Sequence, residues 1–150
     1  MTDSLEAGTY YQSIRFPPDA DAHHVLFLRP SHRFLALGYW SGYEYSAAAG
    51  DWDISGVSAT LTGRLFRESD DTFDTLPLCY ERQFRLVDSD DGLALIADSA
   101  SPSYSLLGHR GVLRYMGPDT TIEKLRILDW REWLPRTLDR VDEWIDRIHR

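Results

Sequence analysis

Cysteine occurs once, at position 79, and that scarcity removes both an intrachain disulfide and any all-cysteine metal site. A lone thiol in a strand-like stretch reads as a small, buried apolar residue. Lysine is equally scarce, Lys124 standing alone beside 15 arginines. Selection for forked, bidentate donors would give that bias, and the base composition of the source genome is the simpler account. No run of 18 apolar residues is present, and residues 1–8 have neither a basic nor an apolar signal region, so cytoplasmic residence is the expectation. Gly-x-Ser-x-Gly, a phosphate loop, His-Glu-x-x-His and a dinucleotide fingerprint are all missing. No cofactor is expected, and an enzyme would need a dispersed group such as His109 or His32 with an aspartate from another loop.

What the chain does have is enough apolar material for a core. Its 150 residues are 43% hydrophobic and 13% aromatic, which fits one globular domain over 1–150 and excludes intrinsic disorder. The 24 acidic residues outnumber the 16 basic ones for a net charge of −8. Nucleic acid and anionic membrane are poor partners for such a surface, because phosphates need cations. Residues 119–150 hold eight acidic and seven basic side chains, so the acidity belongs to residues 1–118.

Residues 8–116 carry a period-two pattern interrupted by turn residues. A first strand over 9–16 stops at Pro17-Pro18-Asp19. Strands over 24–29 and 33–40 flank Pro30-Ser31-His32, and strands over 50–54 and 57–66 flank Ser55-Gly56. Strands over 78–87 and 93–98 flank 88–92, where Asp91-Gly92 supplies the positive φ of a hairpin loop; strands over 104–107 and 112–116 flank 108–111. Eight or nine short strands with near-neighbour reversals predict an antiparallel meander that curls into a β-barrel. From Leu134 the apolar residues Leu138, Val141, Trp144, Ile145 and Ile148 recur at three and four, which predicts a C-terminal amphipathic helix with Pro135 in its first turn. Asp129 and Glu132 have capping-box spacing for a separate turn over 130–133. Residues 120–128 read as a short helix opened by Thr120 with Glu123, or as a last strand on 112–116.

Gly8-Thr9-Tyr10 is similar to the Gly-x-Trp that opens lipocalin-like barrels, with Tyr in the aromatic place. Leu26-x-Leu28-x-Pro30-x-x-Arg33-Phe34-x-Leu, then Gly50-Asp51-Trp52 and Leu61, resembles bacterial lipocalin-like domains across residues 8–116. The resemblance implies a barrel with a terminal helix, and an arginine near one barrel end packing over the first-strand aromatic Tyr10.

Several residues are candidates for a site. Tyr10, Tyr11, Tyr39, Trp40, Tyr43, Tyr45 and Trp52 crowd the first third, and aromatics at one end of a barrel suit a small-molecule pocket, although core packing would use them equally. The small residues after Gly42, through 46–50, suggest a lid. Arg82, between Tyr80 and Phe84, is phased inward, and Arg114 is phased the same way against Val112 and Met116; two inward guanidiniums could grip a carboxylate or phosphate. The expected ligand-binding set is thus Tyr11, Trp40, Tyr43, Tyr45, Trp52, Arg82 and Arg114. Asp19, Asp21, His23 and His24 resemble metal ligands but read as solvated loop residues. Residues 88–92 open like a calcium loop, but the glycine comes one position early and Ser99 stands at the twelfth position. Glu68, Asp70, Asp71 and Asp74 read as an acidic loop, either solubilising or docking a basic protein partner. Non-enzymatic binding of a small, partly apolar ligand is the leading expectation, with an inhibitor-like acidic module as the alternative.

Overall fold

The computed structural model describes residues 7–16, 20–40, 45–69, 72–90, 92–97, 112–125 and 134–148. Eight antiparallel strands close into a barrel in chain order: β1 (Gly8–Phe16), β2 (Ala20–Leu28), β3 (Arg33–Trp40), β4 (Tyr45–Ser55), β5 (Ser58–Ser69), β6 (Thr72–Ser89), β7 (Gly92–Ala97) and β8 (Val112–Tyr115). β8 returns to β1 through Tyr10↔Tyr115 and Tyr11↔Arg114, so no sheet edge is left. Among the described residues two helices follow, α1 (Ile122–Leu125) and α2 (Leu138–Ile148). Among the described residues no helix is long and apolar enough to cross a membrane.

Strand alternation divides the apolar residues into two clusters. Tyr10, Leu26, Leu28, Phe34, Leu61, Tyr80 and Phe84 cluster on the inner side of the barrel, while Val25, Phe27, Leu35, Leu37 and Phe66 face outward beneath Val141, Trp144 and Ile145 of α2. β2 and β3 therefore read as nearly continuous apolar runs, because both of their faces are covered. Trp144 meets Phe73 and Phe66 edge-on at 5.0 and 6.1 Å. Arg29 beyond β2 donates from Nε and Nη2 to the two Asp142 oxygens at 2.7 and 3.0 Å, tying the helix to one barrel end.

Several elements depart from what local polarity predicts. Asp21, His23 and His24 lie on β2, not on a loop, because β1 and β2 stay in register to Phe16↔Ala20. Residues 45–50 are strand, not lid: Ala48 packs inside the barrel, and Ala47 and Ala49 pack under α2, so small side chains here serve close packing. The acidic 68–74 segment is mostly hairpin arm, since β5 and β6 resume pairing past an irregularity between Arg64 and Phe66 and run out to Ser69↔Thr72. Cys79 is exposed, because Tyr80 takes the inward position beside it. The C-terminal helix starts later than Leu134, at Leu138, with the Thr137 hydroxyl accepting from the Arg140 N–H at 3.3 Å; Pro135 precedes it. The short helix near 120 is capped by Thr121, whose hydroxyl accepts from the Lys124 N–H. The turn over 130–133, the strand over 104–107 and its 108–111 loop lie outside the described residues.

Candidate functional site

The barrel has two ends of different character. At one, the proximal end, β2 and β3 are joined through 29–32, β4 and β5 through 56–57, and β6 and β7 through 90–91. The opposite, distal end carries the connections 17–19, 41–44, 70–71 and 98–111, all outside the described residues.

Aromatics seal the proximal end. Trp52 is 6% exposed, its indole N–H donates to the Arg29 carbonyl at 2.9 Å, and its ring stacks on His32 at 4.5 Å and 7°. His32 holds φ at +64° in the turn, and its carbonyl accepts from the Trp52 backbone N–H. Farther round, Tyr115 lies against Tyr10 at 5.1 Å and donates its hydroxyl to the Ala7 carbonyl. One row of paired residues runs Gly8, Leu28, Phe34, Gly50, Gly63, Tyr80. That row climbs away from the proximal end, so Tyr80 stands two residues distal of Arg82 on β6, and Phe34 and Tyr80 reach across the two central glycines until their rings stand 5.9 Å apart. Burial pushes the Tyr80 phenol well above its ordinary pKa, and the Arg82 charge opposes that shift.

Toward the distal end the inner wall of β3 and β4 becomes small, passing from Phe34 to Ala36 and Gly38 on β3 and from Trp52 to Ala48 and Ser46 on β4. Polar side chains appear on the inner faces of β1, β2 and β6. Gln12 continues the inward set of Tyr10, and His24 that of Leu26; the two residues are register partners on β1 and β2, 6% and 1% exposed. Arg82 lies between Tyr80 and Phe84 on the inner wall of β6, half-buried, with its guanidinium 5.2 Å from the centre of the Tyr80 ring. One Nη1 hydrogen goes to the Glu81 carbonyl at 2.9 Å.

The remaining expected site residues are dispersed. Arg114 is exposed on the outer face, because Leu113 and Tyr115 are the inward residues of β8; the expected phase was off by one. Tyr11 also faces outward, beside the helix-covered cluster, where its hydroxyl meets His23 Nδ1 at 2.7 Å. Neither lines the barrel interior. Trp52 belongs to the proximal seal. Trp40 and Tyr45 end β3 and open β4, their side chains outside the description, and Tyr43 lies outside the described residues. His23 and His24 alternate to opposite faces of β2, so one ion cannot take both as neighbours. His109, the other histidine considered for catalysis, lies outside the described residues.

Gln12 is not among the residues the sequence marks, and His24 is marked only as a metal-like, solvated loop residue. The signal was present, since Gln12 shares the parity of Tyr10 and His24 that of Leu26 and Leu28, but a polar residue on an apolar strand face passes as a strand end. No family model, no curated protein and no solved structure matches the chain, and the barrel's own geometry carries the functional reading.

Proposed function

We propose that the chain is a lipocalin-like, non-enzymatic binding domain whose barrel takes a small, partly apolar ligand with an anionic head, and that Arg82 is the anchor for that head. The observation that carries this reading is a guanidinium on the inner wall of a mainly apolar barrel. A guanidinium is a planar cationic fork that pairs bidentately with a carboxylate, sulfonate or phosphate, and here it is carried on the inner wall beside the Tyr80 ring, where an anion entering from the distal half would meet it. The small side chains of Ala36, Ala48, Gly38 and Ser46 on the facing wall favour that approach over the aromatic proximal end.

The probe that fits these features is 8-anilinonaphthalene-1-sulfonate, which is aromatic and anionic. It should bind saturably with enhanced fluorescence, and Arg82→Met should weaken it at least tenfold, about 1.4 kcal/mol, with the thermal transition retained. Equal binding by a folded Arg82→Met protein, or no saturable binding by the parent, overturns the reading. The acidic-module alternative has weaker support. Asp74 is exposed, but register sets it opposite Arg67, which offsets its charge locally; the Glu68 side chain and residues 70 and 71 lie outside the description.

A further inference from the structure

We infer that Gln12 and His24 form the second half of the head-group site, at the same level of the barrel as Arg82, and that together they select a carboxylate-bearing ligand. This rests on the proposed reading that the barrel takes an anionic ligand. The level follows from the register. Leu86 of β6 pairs with Leu95 and Leu95 with Leu113. Leu113 stands one step beyond the Tyr11↔Arg114 pair, opposite Gln12. A row that begins near the proximal end of β6 thus arrives well up β1, and in a closed barrel such an offset is strand tilt. Three strands spaced about 4.8 Å apart and tilted about 40° climb about 9 Å, and four residues along one such strand climb about 10 Å. Arg82 is four residues distal of Leu86 on β6. It therefore stands level with Gln12, three strands away, facing it across the lumen.

The chemistry of the three groups is convergent. Arg82 brings a planar cationic fork suited to carboxylate. Gln12 brings two amide N–H donors at a nearly dry position, where each polar atom is expensive to leave unmet. His24, the register partner of Gln12, brings an imidazole as deeply buried as the core leucines. A carboxylate has two oxygens with lone pairs enough to meet donors from both walls, whereas a hydroxyl has one. The alkyl portion then lies along Ala36, Ala48 and Gly38 toward the distal end.

Calorimetry with sodium octanoate and octan-1-ol tests this on the full chain. The parent should bind octanoate at least tenfold more tightly than the alcohol, and Gln12→Met and His24→Leu should each cut octanoate affinity severalfold while changing the alcohol little. As a measurement independent of whether those variants fold, the Gln12 side-chain NH2 resonances of the parent should shift on adding octanoate. If Arg82→Met weakens octanoate but Gln12→Met and His24→Leu do not, or if the Gln12 resonances stay in place at saturation, the second half of the site is refuted and the anchor stands. If Arg82→Met has no effect, the anchor reading itself fails. Equal affinity for acid and alcohol refutes the carboxylate assignment.

Discussion

A methyl group added at Gly50 would fall on the Thr62 carbonyl oxygen and stand 2.5 Å from the Gly63 Cα, and one added at Gly63 would fall on the Ala49 carbonyl oxygen. The contacts are backbone, which cannot rotate away. Gly50→Ala and Gly63→Ala should therefore each cost about 3 kcal/mol, at the upper end of overpacking penalties, read from urea midpoints. Gly56 is the contrast: its φ of +64° lies in a turn with nothing within 4 Å of an added Cβ. Gly56→Ala should cost only about 1 kcal/mol, the left-handed backbone penalty. The sequence displays Gly56 openly, because Ser55-Gly56 sits between two alternating runs. It hides the role of Gly50 and Gly63, since their requirement comes from the strand paired beside them and from the rings of Phe34 and Tyr80 that occupy the space above. Gln12 and His24 are hidden for a related reason: which side of a strand is inside is decided by partners distant in sequence.

Among the elements, α2 is the most legible, because helical spacing is local and its buried residues Val141, Trp144 and Ile145 all belong to the recurring apolar set. Its energetic weight is uneven. Trp144 is fully buried among Phe66 and Phe73, and Arg147 lies over Phe73 at 4.5 Å. Trp144→Ala should cost about 4 kcal/mol, in the range for large aromatic truncations. The Arg29–Asp142 pair has ideal forked geometry, but the Asp142 side chain is 46% exposed. Solvent screening discounts such a pair, so Asp142→Ala should cost at most about 1 kcal/mol. Chemical denaturation of both variants checks the order; a larger loss from Asp142→Ala would mean that the pair, not the aromatic packing, holds the helix. The strands were less legible than the helix. Their existence follows from alternation, whereas the lengths of β4, β5 and β6 depend on pairing that carries polar and small residues along with it. A run such as Ser46-Ala47-Ala48-Ala49 has weak strand character by itself and becomes strand because β3 and β5 flank it.

At the scale of the whole molecule, barrel closure is the consequence of the meander with the least local signal, since it depends on β8 finding β1 across the entire barrel sequence. β8 is four residues long against 18 for β6, and the seam is reinforced beyond its ladder. The Thr9 N–H donates to the Gly117 carbonyl at 3.0 Å, the Met116 N–H donates to the Thr9 carbonyl at 2.8 Å, and the Thr9 hydroxyl donates to the Thr120 carbonyl at 2.6 Å. Thr120 in turn donates its hydroxyl to the Met116 carbonyl. On the inner side Tyr115 covers Gly8, where an added Cβ would meet the tyrosine ring, and its own ring rests on Tyr10. Tyr115 thus joins the last strand to the first through packing as well as backbone. Local opening follows the free energy of the contacts that must break, and the longer β5–β6 ladder has far more of them. In native-state hydrogen exchange, Tyr115→Ala should lower protection of the Thr9 and Met116 amides at least tenfold, while amides of the β5–β6 ladder such as Leu61 change only by the loss in global stability. A uniform loss across both regions would show that the barrel opens only as a whole. A selective loss would mark the β1–β8 seam as the separable joint of the fold, and because Gln12 lies one step past that seam, octanoate should restore protection there if the head-group site is occupied.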